Sequence, residues 1–149
     1  MVGFVLLAAA VWGFLHVRED AGNGAAGDQG GAVSQLGDAA DIQAKAAGAG
    51  AVQAAQSLYE AHGSFEAVTP RALRAADPSV TYIAAASTAE DIVSVASTSE
   101  GVGLAVHSSS GTCFYAHITS SGVTYGTGAT CAGEKALDAT APAWPSQST

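Results

Sequence analysis

The order of apolar and polar positions divides the chain into three stretches. Residues 1–17, MVGFVLLAAAVWGFLHV, are apolar apart from His16 and are followed at once by Arg18, Glu19 and Asp20. As a helix at about 1.5 Å per residue this stretch is roughly 25 Å long, just short of the ~30 Å hydrocarbon thickness of a bilayer. Three assignments compete for it: a single transmembrane anchor, a secretory signal segment and a buried core helix. Trp12 and His16 suit the membrane–water interface, which favours the anchor. No Lys or Arg precedes the run, as a signal segment would require, although residues 21–27 offer small side chains of the kind a signal peptidase accepts. Anchor and signal segment agree that the remainder of the chain is exported.

The second stretch, 18–32, is a charged step followed by AGNGAAGDQGGA. It holds no large apolar side chain and predicts a flexible Gly-rich linker. The third, 33–149, changes period part-way. Val52, Ala55, Leu58, Tyr59 and His62 recur at helical spacing, and Leu36, Ala40, Ala47 and Ala51 continue the same face upstream. These positions predict one long amphipathic helix whose C-terminal half carries the large anchors, with Gly63 as its left-handed cap. Thr69-Pro70 reads as the N-cap and first position of a short helix through about Ala76, with Leu73 facing inward and Asp77-Pro78 stopping it. After Val80 the apolar runs become short and β-branched or aromatic: 92–95, 102–106, 113–118 and 123–125. Separated by Ser and Gly turns, they predict an antiparallel meander of three or four strands, with Ser120-Ser121-Gly122 as a hairpin turn. In 113–118, Phe114, Ala116 and Ile118 are expected to face the long helix and Cys113, Tyr115 and His117 the other side. The fold class is therefore α+β: one N-terminal membrane helix, then a long amphipathic helix on a small antiparallel meander. The tail carries Trp144 between two prolines and predicts an extended segment with one packed aromatic.

Charge narrows the functions. Thirteen acids against five bases give −8. The bases Arg18, Lys45, Arg71, Arg74 and Lys135 are scattered, whereas phosphate-backbone binding needs them clustered. That argues against nucleic acid as a partner and against polybasic adhesion to lipid headgroups, so membrane contact is expected through apolar residues. Hydrophobic residues are 48% and charged residues only 12%, against about 25% charged in average soluble domains. The apolar excess divides between residues 1–17 and a large stock of alanine.

The two cysteines, Cys113 and Cys131, bracket the proposed hairpin, and in an exported domain they predict one disulfide. With no CxxC pair and no paired histidines, they do not complete a tetrahedral metal set. His62, His107, His117, Glu90, Asp91 and many serines supply raw material for hydrolysis. No serine sits in a GxSxG elbow, and the most favourable grouping would need His107 and His117 together beside Ser108 or Ser110. Gly101-Val102-Gly103 lies between strands rather than opening a helix, so it fails as a dinucleotide fingerprint. Neither an enzyme activity nor a cofactor is expected.

The segment 54–65, AAQSLYEAHGSF, resembles the helix end of a type IV pilin or type II secretion pseudopilin, with His62 in place of Asn and Phe65 in place of Tyr. The segment 69–80, ending Asp77-Pro78-Ser79-Val80, resembles the connector of Gram-positive pilin-like proteins. Gly111 to Tyr115 with Thr124 to Cys131 resembles their disulfide-closed last hairpin, and Ala141 to Trp144 resembles their ending. This resemblance implies a non-enzymatic structural subunit or minor component of a pilus-like or pseudopilus surface appendage. Its partners would be the bilayer and copies of itself or other pilins. It would be a single-pass cell-membrane protein with residues 33–149 extracellular, assembled into a surface filament. It further implies a processing junction at Gly3-Phe4 and helix packing through Ala8, Ala9 and Ala10. The chain diverges from the family at its N-terminus: Ala8 stands where the family carries Glu, and no basic leader precedes Gly3. The divergence leaves an alternative open, a membrane-tethered or secreted binding module with a pilin-like head that does not polymerise.

Overall fold

The computed structural model describes residues 29–146. The apolar stretch 1–17, the Gly3-Phe4 junction and the face of Ala8, Ala9 and Ala10 lie outside the described residues. Helix α1, Gln29–His62, runs 34 residues, about 51 Å at the usual rise. It begins inside the stretch expected to be linker, taking in 29–32. The first amides of a helix lack intrahelical partners in any case, so glycines there cost little. Ala44, Ala51, Val52 and Ala55 are buried in the core, whereas Leu36, expected on the same buried face, is 71% exposed. The reason is extent. A Cβ on Gly37 would lie 3.8 Å from Ser110 at the end of the sheet, and the helix residues before it run past that end.

The C-terminal end of α1 follows the sequence. Gly63 takes φ +69° and donates its N–H to the Tyr59 carbonyl at 2.7 Å. The Tyr59 ring stacks on Phe65, with centroids 4.0 Å apart and planes 10° apart. Phe65 opens a single 3-10 turn, Phe65–Ala67, capped by the Ser64 hydroxyl. Helix α2, Pro70–Ala76, has Thr69 as N-cap accepting the Ala72 N–H, and buries Leu73. Asp77 then ends it.

Five strands follow: β1 Thr81–Ile83, β2 Ile92–Ser97, β3 Gly101–His107, β4 Cys113–Thr119 and β5 Gly122–Gly128. They form one sheet in the order β1-β2-β3-β4-β5. Strands β2 to β5 are an antiparallel meander, but β1 adds parallel to β2, so the sheet is mixed rather than purely antiparallel and has one strand more than expected. Strand β1 is too short to show a period of two. Its place comes from Tyr82, which is buried, donates its hydroxyl to Asp77 at 3.0 Å, and has its carbonyl held by Arg74 at 3.0 Å. The inner face, Val93, Val95, Val102, Leu104, Val106, Phe114, Ala116 and Ile118, packs under α1 as one core. Phe114, Ala116 and Ile118 thus face the helix as expected. The outer face gathers Ala105, Cys113 and Tyr115 with Cys131, Ala136 and Ala139 in a second cluster. It is closed by the single-turn helix α3, Gly133–Ala136, which no apolar period in the sequence marks.

Candidate functional site

The residues proposed for chemistry separate into different parts of the fold. Cys113 and Cys131 are joined in a disulfide with Cα atoms 5.0 Å apart, both buried in the outer-face cluster. This bond ties the β4 start to the loop that leads into α3. His107 and His117 do not meet. His107 pairs with Cys113 and His117 with Gly103, four positions apart along the strands, or about 13 Å. His62 is exposed at the end of α1.

The β3–β4 turn is where polar groups converge. The hydroxyls of Ser108 and Ser110 both donate to Asp41 Oδ1 of α1 at 2.5 Å, and the Ser109 amide donates to Glu90 Oε1 at 2.7 Å. Hydrogen bonding from Ser109, side chain and then amide, holds the Glu90 carboxyl below its ordinary range, with the nearby His107 a smaller contribution. The His107 amide donates to the Ser87 hydroxyl, while His107 Nδ1 is buried without a hydrogen-bond partner among the described residues. The serines the sequence suggested as nucleophiles therefore act as donors that pin the turn to the helix. Asp41 carries this arrangement, and no motif in the sequence marks it. Its signal in the sequence was an acid on the helix face one turn from the buried Ala44.

A second polar cluster lies at the end of α2. Asp77 accepts from the Ser79 amide at 3.0 Å and from its hydroxyl. These bonds, the hydroxyl first, lower its pKa against the opposing cost of burial. Burial, and then the bond to Asp77, raises the Tyr82 phenol. Comparison with protein-family models, with curated proteins and with solved structures finds no match to this chain.

Two surfaces remain as places where another molecule could bind. One is the free N-terminal part of α1, where Val33 is 70% and Leu36 71% exposed. They stand on the helix face that becomes buried from Ala40 onward. The other is an open groove of about 430 Å³ between β5, α3 and the tail, lined by Tyr125, Thr127, Lys135, Asp138 and Ala141 among others. Among the described residues no helix is long and apolar enough to cross a membrane, and no group of three or more His, Cys, Asp or Glu side chains is placed to hold a metal ion.

Proposed function

We propose that the protein is a non-enzymatic structural subunit or minor component of a pilus-like or pseudopilus surface appendage, held by its apolar N-terminal segment before assembly. The observation that carries this reading is the division of α1. Its C-terminal half is spent on the core, while its first eight residues run past the sheet and keep an apolar edge, Val33 and Leu36, exposed among the described residues. A helix end with a bare apolar stripe suits packing against other helices, and the alanines on this face permit close approach. The linked short helix α2, the disulfide-closed meander and the packed terminal Trp144 fit the same reading.

Surface immunogold labelling of the full chain, tagged after its last residue, tests it. Label running along filaments is the expected result, and Val33→Asp with Leu36→Asp should abolish those filaments while the chain stays at the cell surface. Label confined to the envelope, with no filaments, would favour the second reading, a tethered or secreted binding module with the same head. That reading draws on Ala8, which stands where the pilin family has Glu.

A further inference from the structure

The tail crosses the open edge of the sheet and covers it incompletely. Among the described residues, Ala141 is the only one of the tail paired with β5: the Tyr125 amide donates to the Ala141 carbonyl at 2.7 Å, and the Ala141 amide returns a bond to the Tyr125 carbonyl at 2.9 Å. Because backbone groups alternate along an antiparallel strand, Val123 and Thr127 point their N–H and C=O the same way as Tyr125. The residue in register with Thr127 would be Ala139, but Ala139 is drawn onto the outer face. Its N–H goes to Ala136 and its carbonyl accepts the Thr124 hydroxyl at 2.6 Å. Strand β5, GVTYGTG, has neither a charge nor a proline, the usual devices that stop an exposed edge from pairing.

What holds the tail down is its tip. The Trp144 indole donates to the Tyr115 carbonyl at 2.7 Å and meets the Tyr125 and Phe114 rings edge-on. A Cβ on Gly48 of α1 would lie 3.1 Å from this indole. Lys45 sits over the Phe114 ring and donates to the Pro145 carbonyl at 2.9 Å.

We infer that the tail is an intramolecular guard of the β5 edge, and that on its release β5 pairs antiparallel with β5 of a second copy. The edge is complementary to itself. About a two-fold axis at Tyr125, Val123 of one copy comes opposite Thr127 of the other, so each outward donor finds an acceptor. This inference does not depend on the filament reading, because it concerns the opposite end of the chain.

The test uses the full chain in detergent micelles, with mass from light scattering and amide hydrogen exchange. Trp144→Ala should double the mass relative to the unaltered protein and keep the Tyr125 amide protected until the sample is diluted. Gly48→Leu, which evicts the indole while filling its seat and favouring the helix, should do the same and serves if Trp144→Ala loses its far-UV dichroism. Adding Thr127→Pro deletes an N–H that points away from β4 and should restore the original mass. An unchanged mass with an unprotected Tyr125 amide in a folded variant would overturn the inference. So would a doubled mass that survives Thr127→Pro.

Discussion

The two faces of the sheet are built from the same strands and held by different physics. Under α1, the inner face is a run of Val, Leu, Ile and Phe side chains packed on the alanines of the helix, and its stabilisation scales with the apolar area removed from water, about 25 cal/mol per Å². The outer face alternates with it residue by residue but offers Ser94, Gly103, Ala105, Cys113 and Tyr115. There the cover is held by close backbone approach, by single hydrogen bonds and by the disulfide. Gly133 lies so near Gly103 that a Cβ on Gly103 would be 2.1 Å from the Gly133 carbonyl oxygen, and the Gly133 N–H donates to the buried Ser94 hydroxyl at 2.9 Å. The inner face thus depends on volume and the outer face on geometry, and substitutions at neighbouring positions should separate the two.

The largest effect is expected on the inner face. Leu104→Ala empties a fully buried position and should cost about 2–5 kcal/mol in denaturant unfolding. Replacing both cysteines by Ser opens the loop between positions 113 and 131 and should cost about 3 kcal/mol. In the unaltered protein alone, adding reductant should lower the unfolding midpoint. Gly103→Ala, one residue from Leu104, adds a single carbon to the outer face and should cost roughly 1–3 kcal/mol through overpacking. If Gly103→Ala proved neutral while Leu104→Ala was costly, the close packing of α3 on β3 would be refuted. Ser94→Ala leaves the Gly133 amide without a partner and should cost about 1–3 kcal/mol, towards the lower end, with faster exchange at Gly133 as the local readout.

The smallest effect is a dependence on pH. Asp77 and Glu90 both have folded-state pKa values below their ordinary ones, so each contributes stability that is present above its unfolded pKa. That contribution is lost as pH falls below about 4 and through the lowered folded values. Melting temperature should drop on acidification over that window, and Asp77→Asn with Glu90→Gln should flatten the drop.

Much of the described fold was legible in advance because it follows from local chemistry. The Gly63 cap, the Thr69-Pro70 start of α2, the hairpin turn in Ser120-Ser121-Gly122 and the side of β4 that faces the helix all rest on one or a few neighbouring residues. Strand β1 and helix α3 were not legible. Three residues are too few to show a period, and four residues without a capping side chain carry no helix signal. The polar cluster at the β3–β4 turn was half legible: the serines and His107 stood out as polar residues near strand ends, but Asp41 lies 67 positions from Ser108, and nothing local announces that pairing.

By itself the sequence determined the class of this protein, a long alanine-rich helix on a small sheet closed by one disulfide, because periodicity and turn residues act over a few positions at a time. Tertiary structure alone decided that β1 joins in parallel, that Val33 and Leu36 stay exposed, and that Ala141 of the tail bridges to Tyr125 at the β5 edge. Each of these depends on where the sheet ends relative to the helix, and that is settled only when distant segments are packed together.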